Sequence, residues 1–186
     1  MDFHKEFIDV LMRQRRQKQS DIKGLSSDLG GVVGAEPLAE PLAEPLMEYN
    51  EVETMAFHLS LQLQVLEEKG YTLLFLQASD IVILDEQLYL LSNLSQLVPL
   101  NKKDIKQIVL NYPTCYPFPK EVCAPEVLKM SVLPFVCSKS ACYYSLGLLC
   151  LKVLHLSLDD LRGTKLFYFL ERCLKDDPKE RWLIFL

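Results

Sequence analysis

Cys123-Ala124-Pro125-Glu126, Ser145-Leu146-Gly147 and Asp177-Pro178-Lys179-Glu180-Arg181 are the three stretches whose order decides how the chain is read. Around the second, Ser140–Leu154 is mostly apolar on every side, which predicts a helix at the centre of a core rather than on a surface. Leu158–Leu161 and Leu166–Leu174 predict further helices, and Asp177-Pro178 supplies a turn after the last of them. Upstream, Val52, Met55, Ala56, Leu59, Leu63 and Leu66 recur at helical spacing as far as Gly70, a helix stop. Tyr71–Leu76 and Ile81–Leu84 then read as short buried strands. Leu88, Leu90 and Leu91 read as a third, with Asp85-Glu86-Gln87 turning between the last two. Asn101–Leu110 is polar and ambiguous, and Tyr112–Pro119 reads as a proline-broken loop. The expectation is a mainly α domain with a few short strands.

The composition is that of a globular chain. It has 186 residues, 49% hydrophobic and 24% charged, with a formal net charge of -5. That balance argues against a nucleic-acid surface, which needs clustered excess Lys and Arg. No apolar run approaches the roughly 18 residues a membrane span requires, so no membrane partner is expected. The start, MDFHKEF, lacks the basic-then-apolar order of a secretory signal. Six cysteines (Cys115, Cys123, Cys137, Cys142, Cys150 and Cys173) form no C-x-x-C pair. The histidines are distant from them in sequence. Buried, reduced thiols in a cytoplasmic protein are therefore expected, with no metal and no cofactor.

The first 48 residues differ from the rest. Phe3, Phe7, Ile8 and Leu11 fit one face of a short helix, followed by the basic run Arg13-Gln14-Arg15-Arg16-Gln17-Lys18. Such a run is read as a solvated helix side in preference to an import signal. Residues 1–34 are assigned as an N-terminal helical and flexible segment. An exact repeat follows: Ala35-Glu36-Pro37-Leu38, Ala39-Glu40-Pro41-Leu42 and Ala43-Glu44-Pro45-Leu46. A proline at every fourth residue forbids a helix and favours an extended spacer, so 35–48 is assigned as a linker. The compact domain is assigned to 49–186.

The pieces of that domain, taken in order, resemble the second half of a protein kinase catalytic domain. Leu59–Tyr71 (LSLQLQVLEEKGY) resembles the helix before the catalytic loop. Ser79–Asn93 (SDIVILDEQLYLLSN) resembles the hairpin running into D-F-G. Cys123–Leu128 (CAPEVL) resembles the end of the activation segment. Ser138–Leu149 (SKSACYYSLGLL) resembles the segment that reads S-D-V-Y-S-L-G in active kinases, and Phe169–Trp182 (FLERCLKDDPKERW) the helix and loop that end in the family's late arginine. The stretch "LPFVCSKSACYYSLGLL" is also similar to degenerate kinase-like proteins of large DNA viruses. The resemblance implies a kinase C-lobe-like fold, with no nucleotide lobe in the residues preceding it, and a structural ion pair between Glu126 and Arg181.

It also implies that the phosphoryl-transfer residues are gone. H-R-D falls on Leu73, Leu74 and Phe75, and Phe75 cannot accept a hydroxyl proton. Asp80 stands in place of the loop asparagine and reads as a solvated turn aspartate. D-F-G falls on Asn93, Leu94 and Ser95, and a neutral amide is a weak magnesium ligand. Cys142 replaces the aspartate that holds the catalytic-loop backbone. No G-x-G-x-x-G and no V-A-I-K occurs. No catalytic, cofactor-binding or metal-binding residue is therefore assigned.

The function implied is a pseudokinase: a non-catalytic module that works by protein–protein binding, with a genuine kinase as the candidate partner. Leu74, Leu76, Ile81, Ile83, Leu88 and Leu90 are the expected partner surface. The alternatives are a residual ATP-binding enzyme using unorthodox residues, or a generic scaffold.

Overall fold

A computed structural model describes residues 46–84, 88–94, 96–111 and 118–184, all within the unit Leu42–Leu186. The N-terminal helix, the basic run, the repeat as far as Pro45, the Asp85-Glu86-Gln87 turn, Ser95, Cys115 and the Tyr112–Pro117 loop lie outside the described residues.

Helix α1 (Tyr49–Glu68) is capped by Glu51, whose carboxylate accepts the Glu48 N–H at 2.8 Å. Val52, Met55, Ala56, Leu59 and Leu63 are its buried stripe. It stops where Gly70 takes φ 83, a conformation that costs glycine little. Strands β1 (Tyr71–Leu73), β2 (Ile81–Leu84), β3 (Leu88–Leu91), β4 (Leu97–Asn101) and β5 (Asp104–Leu110) follow. Next come the short helix α2 (Pro125–Leu128), strand β6 (Phe135–Ser138), helix α3 (Ala141–Leu154) and helix α4 (Lys165–Cys173). Thr164 caps α4 by accepting the Phe167 N–H at 3.1 Å.

The expectation of a mainly α, kinase C-lobe-like domain is overturned. Four antiparallel strands form one sheet in the order β1-β4-β5-β6, and β2-β3 form a separate hairpin. The fold mixes α and β, with the sheet contributing its own core. Three strands escaped the sequence reading for physical reasons. Pro99 interrupts β4 and removes a ladder donor, beside a register shift at Leu100/Asn101. Strand β5 carries Lys106 and Gln107 among its apolar residues, and β6 is only four residues long.

Two hydrophobic clusters result. One joins α1, α3 and α4 through residues such as Leu59, Leu146, Leu166 and Phe169. The other packs the sheet against α2 through Val98, Ile108, Leu110 and Val127. The segment Leu73–Leu76 is the wall between them: Leu73 and Leu76 enter the helical cluster, Leu74 and Phe75 the sheet cluster. The folded unit also takes in Leu46, whose N–H donates to the Val153 carbonyl at 2.9 Å.

Gly147 sets the approach of α3 to the end of α4. A Cβ there would stand 2.9 Å from Leu174 Cγ and 3.3 Å from Cys173 Cβ. Gly147→Val is expected to lower stability by about 1–3 kcal/mol through overpacking, read as a lower urea midpoint at unchanged slope.

Candidate functional site

Glu126 of the first stretch and Arg181 of the third meet, and Tyr144, just before the second, covers the guanidinium. The Arg181 side chain is buried, and a charge out of water persists only where its donors are satisfied. Nη1 donates to Glu126 Oε1 at 2.6 Å and Nη2 to Glu126 Oε2 at 3.0 Å, a bidentate pair. Nε donates to the Lys175 carbonyl at 2.6 Å and Nη2 also to the Asp176 carbonyl at 3.0 Å. The guanidinium lies 4.7 Å from the centroid of the Tyr144 ring. Glu126 is presented by α2, whose first turn begins with Pro125, a residue pre-shaped for that position. Tyr144 comes from α3, and the two carbonyls lie just past the end of α4.

Ser145 lies one residue beyond Tyr144 on α3 and is fully buried. Its Oγ accepts the Leu76 N–H at 2.7 Å and donates to the Leu76 carbonyl at 3.1 Å. A single hydroxyl thus satisfies both polar groups of a buried peptide segment that belongs to no strand at that point. Cys142, one turn earlier, sets its thiol against the Leu73 backbone, and burial pushes that thiol far above its usual range.

Asp80 and Asn93, distant in sequence, meet. Asn93 Nδ2 donates to Asp80 Oδ1 at 2.8 Å, and the Gln77 N–H donates to Asp80 Oδ2 at 2.9 Å. The Asp80 carbonyl accepts the Ser92 N–H at 2.8 Å. Asp80 is buried, which corrects its reading as a solvated turn residue. Its carboxylate closes the 3-10 turn Ala78–Asp80 and anchors the end of β3, so water is excluded by the bonds it makes. Phe75 is buried too, edge-on to Phe118 at 6.5 Å, in the apolar sheet cluster. Among the described residues, no group of three or more His, Cys, Asp or Glu is placed to hold a metal ion.

The expected partner surface needs correction. Leu74 and Leu76 are fully buried, because the Leu73–Leu76 segment has a hydrophobic cluster on each side and no solvent face. Ile81 and Leu90 are half-buried, and only Ile83 (49%) and Leu88 (42%) are exposed. The register pairs Val82 with Leu90 and Leu84 with Leu88 on one face of the hairpin, and none of these four belongs to either cluster.

Two networks were not foreseen. Gln62 Nε2 donates to the Tyr89 carbonyl at 2.8 Å and its Oε1 accepts the Leu91 N–H at 2.9 Å, so a helix side chain pairs the outer edge of β3. Glu67, at the end of α1, accepts from both the Tyr143 hydroxyl and the Lys139 ammonium. Burial, then the bond to Glu67, pushes the Tyr143 hydroxyl far above its usual range. The available signal was slight: Gln62 sits between Leu61 and Leu63 but is flanked by Ser60 and Gln64, and Tyr143 stands in a mostly apolar helix.

No protein-family model and no curated protein matches the chain. None of the described helices is long and apolar enough to cross a membrane.

Arg181→Ala and Glu126→Ala are each expected to cost about 3 kcal/mol or more, since each leaves a desolvated charge. The double variant is expected to cost less than their sum, as read from urea unfolding. The protonated tyrosine and thiols give a pH signature. Burial raises the Cys137 and Cys173 thiols to about 12. Unfolded thiols and tyrosines ionise near pH 8.5–10, as the folded ones do not, so the unfolded state binds fewer protons and stability falls as pH rises through that range. Melting temperature is expected to decline from pH 8 to pH 10.5, with a shallower decline in Tyr143→Phe. Cys137, Cys142, Cys150 and Cys173, free and buried, are expected to resist iodoacetamide at pH 8 until the chain is unfolded.

Proposed function

We propose that this chain is a pseudokinase-type module: it derives from protein-kinase-like sequence, performs no phosphoryl transfer and acts by binding another protein, with a genuine kinase as the candidate partner. The observation that carries this reading is the state of the positions that the resemblance aligns with the catalytic residues. Phe75 offers no proton acceptor and is packed in a hydrophobic cluster. Asp80 has both carboxylate oxygens engaged by Gln77 and Asn93. A magnesium ion needs open carboxylate oxygens, and phosphoryl transfer needs a group that orients the nucleophile. Neither requirement is met by these residues as arranged.

Support for binding comes from the β2–β3 hairpin, where Val82, Leu84, Leu88 and Leu90 form an apolar face outside both clusters. An apolar face of this kind is an interaction surface in soluble proteins. The buried free thiols of Cys137, Cys142, Cys150 and Cys173 fit residence in the cytoplasm, that of the host if the chain is viral.

The test has two arms. Thermal shift and radiolabel transfer with ATP and magnesium are expected to give no saturable response; a response abolished by Asp80→Asn would overturn the non-catalytic reading. Pull-down with a panel of purified kinases is expected to capture at least one, and Leu88→Glu to abolish capture with an unchanged melt. Capture of none would overturn the choice of partner.

A further inference from the structure

Strand β6 is the outer strand of the four-stranded sheet, and its ladder fixes which backbone groups face outward. The Lys139 N–H donates to the Lys106 carbonyl at 3.0 Å, and the register continues through Ile108 with Cys137 and Leu110 with Phe135. Bonded and non-bonded pairs alternate along an antiparallel ladder. Cys137 and Phe135 therefore use their amides and carbonyls on β5, while Val136 and Ser138 direct theirs away from it. No described strand pairs with that side. The Val136 side chain is 51% exposed, and Val132 and Leu133 just before the strand are exposed as well.

Natural sheets protect such edges with a charge, a proline or a covering element. Phe135-Val136-Cys137-Ser138 contains neither charge nor proline within the strand. The charges near its end are predominantly positive. Lys102 and Lys103 sit at the β4–β5 turn, and Lys106 stands opposite Lys139, one step past the Gln107–Ser138 pair in the ladder; all three of Lys102, Lys103 and Lys106 are exposed. The acid among them, Asp104, has Oδ1 engaged by the Lys106 N–H at 3.0 Å. Lys139 is set apart, because Glu67 pairs with it. In a chain of net charge -5 this is a locally positive corner.

We infer that β6 is a strand-addition site for an extended acidic segment of a partner protein. Backbone bonds to Val136 and Ser138 would supply affinity, an apolar side chain opposite Val136 would extend the sheet face, and Asp or Glu at the end beside Lys102, Lys103 and Lys106 would set direction. This surface is separate from the β2–β3 hairpin and does not depend on the kinase resemblance.

The experiment selects short random peptides displayed on phage against the full chain and measures the enriched sequences by fluorescence polarisation. The expected enrichment is alternating apolar residues with Asp or Glu clustered toward one end. Lys106→Glu is expected to weaken binding about tenfold. Val136→Pro is expected to abolish it with an unchanged melt, because the N–H it removes faces outward. Should Val136→Pro fail to fold, Val136→Lys tests the same edge by placing a charge on it. Enrichment without acidic residues, binding indifferent to the Val136 variants, or no enrichment would overturn the inference. So would a concentration-dependent dimer, seen by light scattering and dissolved by the Val136 variants, because a second copy would then be the occupant.

Discussion

A buried guanidinium holds this domain together. Removing Arg181 from water is unfavourable, and the cost is offset because Glu126 receives two of its donors and the Lys175 and Asp176 carbonyls receive others. Those partners come from α2 and from the chain beyond α4, and Tyr144 of α3 covers the guanidinium's face. Each of these groups has no comparable partner if the others move. The arrangement therefore specifies where four segments meet, which apolar packing alone would leave less sharply defined.

The second constraint is the segment Leu73–Leu76, whose ends enter the helical cluster and whose middle pair enters the sheet cluster. A chain buried on both sides must have its peptide groups satisfied from within. Ser145 does this for Leu76, which explains a serine in a helix otherwise apolar on every side. Tyr144, Ser145 and Gly147 lie within one turn of α3. They stack on the arginine, satisfy the dividing segment and admit α4, respectively.

The positions that the kinase resemblance marks as degenerate carry structural work. Asp80 accepts from Asn93 and from the Gln77 N–H, Phe75 fills the sheet cluster, and Cys142 lies against Leu73. Burial of the carboxylate could not be read from local sequence, because a turn aspartate and a buried anchor have the same neighbours along the chain.

Helices α1, α3 and α4 and the β2–β3 strands were legible in the sequence, because an amphipathic or mostly apolar period and a helix-stopping glycine are local properties. Val52 to Leu63, Ala141 to Leu154 and Ile81 to Leu84 are such cases. The four-stranded sheet was not legible there, since β4, β5 and β6 owe their strand form to one another: Pro99, Lys106 and the brevity of Phe135–Ser138 all argue locally against it. The same holds for which leucines are exposed. Leu74 and Leu76 are apolar in sequence exactly as Ile83 and Leu88 are, and what separates them is that the first pair has a cluster on each side while the second lies where the hairpin leaves the core.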